Sequence, residues 1–179
     1  MNRKIVGMFA LVAIGLTSCG NSSDENFNSD DVMFAQMMIP HHEQAIEMSD
    51  IALDPTVGAG AEVLDIAARI KAEQDPEIQQ MTALLETWGE PLVPNDGMDH
   101  GSMMEGMLTI EELDELASLR GKDFDVAWVS AMIVHHEGAV KMAQDVLDSG
   151  KNPEVNSLAS AIVEAQLAEI EELKAILAS

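Results

Sequence analysis

Tyrosine is absent from the 179-residue chain, aromatic residues make up 3% of it, and there is a single cysteine, Cys19. One cysteine excludes an internal disulfide and any Cys-x-x-Cys metal or redox motif. With so few aromatics, a core must be built from Leu, Ile, Val, Ala and Met. Positive charge is scarce too, with 9 Lys and Arg against 32 Asp and Glu and a net charge of −23. Nucleic acid needs a positive surface, so that partner class is excluded. Glu-x-x-His, the mark of carboxylate-bridged di-metal oxidases, is missing. So are His-Glu-x-x-His, Gly-x-Ser-x-Gly and a phosphate-binding loop. These absences weigh against an enzyme.

What is present begins with a leader. Arg3 and Lys4 precede the apolar run IVGMFALVAIGL, which is too short to cross a bilayer comfortably. The run ends in LTSCG, similar to the lipobox of bacterial lipoproteins, in which cleavage leaves a lipidated cysteine first. Residues 1–18 read as a lipoprotein signal peptide and Cys19 as the lipidated residue. A secretory signal with a chance cysteine, or an N-terminal membrane anchor, is the alternative. Cleavage would leave 7 of the 9 basic residues against 32 acidic ones. Such a protein sits outside the cytoplasm and touches a membrane only through its lipid.

Residues 19–30 are polar and aperiodic, as a flexible tether is. From Asp31, the residues Phe34, Met38, His41, Ala45, Met48 and Ala52 fall on one helical stripe, with Ser29, Asp30 or Asp31 available as cap. LDPTVGAG breaks that helix. A second helix is expected over Ala61–Trp88, kinked at Pro76. GEPLVPNDGMDHGSMMEGML is a long Gly/Pro/Met loop, and Thr109 with Glu112 forms a capping box for a short helix. Asp125–Asp148 and Val155–Leu177 complete the pattern, with SGKNPE as the turn.

The chain also repeats itself. Asp31 aligns with Asp125, Phe34 with Trp128, Met38 with Met132, and Met48 with Met142. His41-His42-Glu43 aligns with His135-His136-Glu137. In the partner helices Gln74 matches Gln166, Glu77 matches Glu169, and Pro76 meets Ala168. The expected fold is therefore all-α. It is a four-helix bundle over residues 31–179, in which repeat one (31–88) and repeat two (125–179) are helix hairpins joined by a long Met-rich crossover (89–124).

Four of the five histidines lie in the two pairs. Residues three and four apart on a helix are neighbours. His41 and His42 with Met38 and Met48, and His135 and His136 with Met132 and Met142, can thus each gather imidazole and thioether donors. Imidazole binds copper and zinc, and thioether selects reduced copper; silver is similarly soft. Packing histidines with methionine as filler is the competing explanation. In the crossover, Met98, His100, Met103, Met104 and Met107 form either a soft-metal trap or a hydrophobic flap over one end of the bundle. Glu77 and Glu169 can orient the imidazoles from the partner helices. Glu43 and Glu137 can do the same or face solvent.

The doubled HHExAxxM, each followed by a Glu-Ile element in the partner helix, resembles the bacterial family known as domain of unknown function 305, over about Asp31 to Leu177. That resemblance implies a ferritin-like helical bundle in a secreted, periplasmic or lipid-anchored protein. It also implies copper binding and copper tolerance, carried by His41, His42, His135, His136, Met38, Met48, Met132 and Met142. The leading expectation is a surface-anchored protein that sequesters copper, with zinc or silver as other candidate ions. A metal-dependent redox enzyme of the cuprous oxidase kind and a purely structural lipoprotein are the alternatives. A second copy of the chain is a candidate partner.

Overall fold

A computed structural model describes residues 26–94 and 104–178. Among them are five helices and no strands. These are α1 (Ser29–Leu53), α2 (Ala61–Trp88), α3 (Ile110–Ser118), α4 (Gly121–Ser149) and α5 (Pro153–Leu177). Two long hairpins, α1–α2 and α4–α5, pack together along α1 and α4, while α2 and α5 barely touch. Cys19, Met98, His100 and Met103 lie outside the described residues, as do the leader and most of the tether.

α2 starts at Ala61 as expected, whereas α1, α4 and α5 start two to four residues earlier than the sequence suggested. Asn28 caps α1, its side chain accepting from the amides of Asp30 and Asp31, while the Asp31 carboxylate accepts from the Asn28 amide at 2.8 Å. The helix therefore begins inside the segment expected to be tether. Asp31 is fully buried because it also accepts from the amides of Lys151 and Asn152 at 3.1 Å, tying α1 to the α4–α5 turn. Its counterpart Asp125 accepts from the Gly60 amide at 3.0 Å and ties α4 to the α1–α2 turn. α4 itself starts at Gly121, four residues before Asp125, where Gly121 takes a positive φ of 57°.

Neither proline interrupts its helix. α2 runs through Pro76 as one element, and α1 runs through Pro40, directly before His41. Pro40 cannot donate to the carbonyl of Gln36, which costs α1 one internal hydrogen bond next to the histidines. Thr109 and Glu112 do form the expected capping box at α3.

α1 and α4 are antiparallel. The Trp128 indole N–H donates to the carbonyl of Met48 at 2.8 Å, and the rings of His41 and His135 lie 3.8 Å apart, centre to centre. The core is split in two. One cluster holds Phe34, Met38, Met81, Leu85, Val155 and Ile162; the other holds Met48, Ile66, Ile70, Trp128, Met132 and Leu173. The repeat superposes one on the other, since Phe34 maps to Trp128, Met38 to Met132, Ile162 to Ile70 and Met81 to Leu173. Each fully buried large side chain here stabilises the fold by roughly 1.5–3 kcal/mol. Between the clusters, on all four long helices, the apolar pattern stops.

Candidate metal centre

In that gap lies a polar layer made of His41 and His42 from α1, Glu77 and Gln74 from α2, His135 and His136 from α4, and Gln166 and Glu169 from α5. The four histidines are buried. They form one shared layer, with His41 beside His135 where the two repeats meet. Each of these two is the other's counterpart, so the axis relating the repeats passes between them.

The partner helices hold the outer pair of rings. His42 Nε2 lies 2.9 Å from Glu77 Oε2, and His136 Nε2 lies 2.7 Å from Glu169 Oε2. A carboxylate only accepts, so each ring donates through Nε2, and the neutral tautomer that does so has its lone pair on Nδ1. Both Nδ1 atoms are buried and have no hydrogen-bond partner. The inner pair has less support. His41 Nε2 reaches the carbonyl of Glu105 at 3.4 Å, and neither ring nitrogen of His135 has a partner.

Burial, reinforced by the neighbouring His42, lowers the pKa of His41 from the usual 6.5 to about 3. His135 is likewise held well below its usual value, by burial first and then by His41. Both rings are therefore neutral at physiological pH, the form that ligates metals.

Among the described residues, nine of the ten buried side-chain polar atoms without a partner belong to this layer. An unsatisfied buried polar atom costs about 1–3 kcal/mol, so evenly spread packing roles do not account for the concentration. A cation accepting imidazole lone pairs would account for the histidine nitrogens among them. Among the described residues, no three His, Cys, Asp or Glu side chains converge as a ready-made cage. The donors present instead suit a soft ion: paired imidazoles, with the buried thioethers Met38 and Met132 one turn away. That set favours copper or silver over zinc, which is most often held by four converging ligands.

The other expected residues divide. Met48 and Met142 lie two turns, about 10 Å, along their helices from the histidine pairs. Met48 packs with Trp128, and Met142 is half-buried against Phe34's cluster, so neither joins the layer. Glu43 and Glu137 are exposed and face solvent, because they follow the inward-facing pairs by one further step around the helix. Met104 is buried and Met107 half-buried. They do not cap an end of the bundle. The Met104–Leu108 strap crosses its middle.

Three residues that hold this strap carry no sequence signature of their own. The Gln44 side chain donates to the Leu108 carbonyl at 2.8 Å and accepts from the Leu108 amide at 2.7 Å. Gly138 lets the strap's backbone lie directly on α4, where an added Cβ would come within 2.0 Å of the Glu105 carbonyl oxygen. Gly106 does the same from the strap's side against the Val134 carbonyl, at 2.5 Å. One signal was available, since Gln44 and Gly138 occupy equivalent places and are where the motif HHEQA departs from HHEGA.

A duplicated helix hairpin with paired histidines buried at its midpoint defines the class of protein. The family described as "Domain of unknown function (DUF305)" matches residues 31–177, and the chain belongs to it. A DUF305 protein from Streptomyces coelicolor is 34% identical with a TM-score of 0.77, over 84% of this chain and 93% of that one. A DUF305 fragment from Deinococcus radiodurans is 32% identical with a TM-score of 0.75, over 84% and 97%. CopM in its Cu(II)-bound form is 33% identical with a TM-score of 0.69, over 80% and 93%. CopM is also similar in its Cu(I)-bound and Ag-bound forms. No match emerges among curated proteins. No described helix is long and apolar enough to cross a membrane.

Proposed function

We propose that this protein sequesters copper outside the cytoplasm, held to a membrane surface by a lipid on Cys19 after removal of residues 1–18. The observation that carries the reading is the set of buried, unpartnered imidazole nitrogens where the repeats meet. Glu77 and Glu169 accept hydrogen bonds from Nε2 of His42 and His136 and so leave the Nδ1 atoms free to ligate. Burial keeps His41 and His135 unprotonated, so neither has to lose a proton before binding. Met38 and Met132 add thioethers, which bias the site towards Cu(I) and remain usable where thiols oxidise. Similarity to CopM, solved with Cu(I), Cu(II) and Ag, supports the same ion class.

The test is anaerobic Cu(I) titration against a chromophoric chelator, on the parent and on a chain with His41, His42, His135 and His136 all replaced by Gln. The parent should compete in the nanomolar range or tighter, and the variant should lose at least a hundredfold. Equal affinity in the two would sink the proposal.

A further inference from the structure

Outside the histidine layer, between α1, α4 and the strap, lies an open groove of about 340 Å³ whose walls carry four methionines, Met33, Met37, Met104 and Met142. We infer that this groove is a second, all-thioether site for a soft monovalent cation, placed as the outer station of the histidine centre. The inference takes its ion class from the copper reading above, but its residues are separate from that centre's ligands.

Exposure is the first argument. Met33 is 43% exposed and Met37 and Met142 are half-buried, so three thioethers face an opening that water reaches. Met142 also packs against the Phe34 cluster, whereas Met38, Met48 and Met132 are wholly inside.

The duplication supplies a control. Met33 and Met37 correspond to Ala127 and Ala131 in repeat two, and these line the equivalent groove on the other side of the strap. There α3 lays Leu116 and Leu119 over the alanines. That groove carries one thioether, Met107, against four in the first.

Position is the third argument. Met37 lies one turn before His41 on α1. Glu105 and Gly138 line the groove, and His41 Nε2 lies 3.4 Å from the Glu105 carbonyl. The carboxylates of Asp30, Glu105 and Asp145 line it with one basic residue, Lys141, which pairs with Asp145 at 3.1 Å. The acidic lining thus draws cations, and the thioethers select the soft ones.

Ag(I) titration by calorimetry, with sulfur and nitrogen coordination read by X-ray absorption, tests this on three proteins. They are the parent, the triple variant Met33→Leu, Met37→Leu, Met142→Leu, and the four-Gln histidine variant. Leu keeps the volume of Met without its sulfur, so the triple variant folds. We expect it to lose one bound Ag(I), or to bind that ion at least tenfold more weakly, while a nitrogen-coordinated ion remains. The histidine variant should retain one ion with sulfur coordination only. Unchanged stoichiometry and affinity in the triple variant would overturn the inference and leave the histidine centre standing. Loss of every ion from the histidine variant would also overturn it, because the thioethers would then hold nothing alone. Loss of all binding from the triple variant, with the histidine variant unaffected, would instead refute the histidine centre and leave this site.

Discussion

Replacing Gly138 by Ala separates two opposing effects on stability. In an exposed helix the change gains about 1 kcal/mol, because glycine is the poorer helix former. Here the new Cβ would meet the Glu105 carbonyl oxygen at 2.0 Å and its carbon at 2.8 Å, and both belong to backbone. Ordinary contact needs about 3.4 Å or more, so the strap must lift by over 1 Å. Lifting breaks the two hydrogen bonds between Gln44 and Leu108, at roughly 1 kcal/mol each. It also exposes Met104, now 7% exposed, at roughly 1.5–3 kcal/mol. The sum of losses is about 4 kcal/mol against a gain of about 1, a net cost of about 3 kcal/mol. Urea unfolding should therefore show the midpoint of G138A falling by about 1–3 M for slopes of 1–3 kcal/mol per M. In a Gln44→Leu background the effect should shrink, since both changes release the same strap. A G138A protein as stable as the parent, or more so, would show that the strap does not press on α4.

Four further outcomes follow from the same geometry. Glu169→Gln should weaken Cu(I) binding about tenfold to a hundredfold, and Glu77→Gln less, because the Glu77 side chain is 20% exposed against 7% for Glu169; chelator competition measures both. Metal-free protein should lose stability as pH falls from 6.5 towards the carboxylate range. His41 and His135 have depressed values, so the unfolded chain binds protons there that the folded one refuses, at about 1.4 kcal/mol per pH unit for each ring. Urea midpoints at several pH values should show that slope, and His41→Gln with His135→Gln should flatten it. Asp31→Ala should destabilise by more than Asp125→Ala in thermal melts, since Asp31 satisfies the amides of Asn28, Lys151 and Asn152 while Asp125 satisfies that of Gly60 alone.

Much of the fold was legible because duplication doubled every signal. Apolar spacing placed the four long helices, and alignment of the halves paired Glu77 with Glu169 and Gln74 with Gln166 before any coordinates. Helix starts were less legible, because they depend on which neighbour satisfies the first amides. Asn28 outcompetes Asp30 and Asp31 as the cap because Asp31 is needed elsewhere, at the far α4–α5 turn. The site was legible in its residue types but not in its extent. Helical stripes mark a face and say nothing about depth along it, so Met48 and Met142 looked like neighbours of the histidines while standing two turns away. Contacts of the strap were invisible for a different reason. Glu105 acts through its backbone carbonyl and Gly138 through the absence of a side chain, and neither announces itself by residue type.

The strap explains why the two halves are not identical. A duplicated hairpin can meet its copy about an axis, and the paired histidines sit on that axis, where both copies contribute equally. A single strand of chain crossing the same axis cannot obey the symmetry. Its Glu105 carbonyl meets Gly138 on one half and His41 on the other, while Gly106 lies against Val134 and Leu108 bonds to Gln44. The helices beneath therefore need different residues at equivalent places, and they have them. Gln44 grips where Gly138 yields, and Met33 and Met37 stand where the other half has Ala127 and Ala131. Divergence between the repeats includes the surface that meets the strap, while the buried layer of His41, His42, His135 and His136 keeps its doubled form. In the proposed reading, the paired histidines on both sides of the axis are the donors that a single ion shared by the two repeats would use.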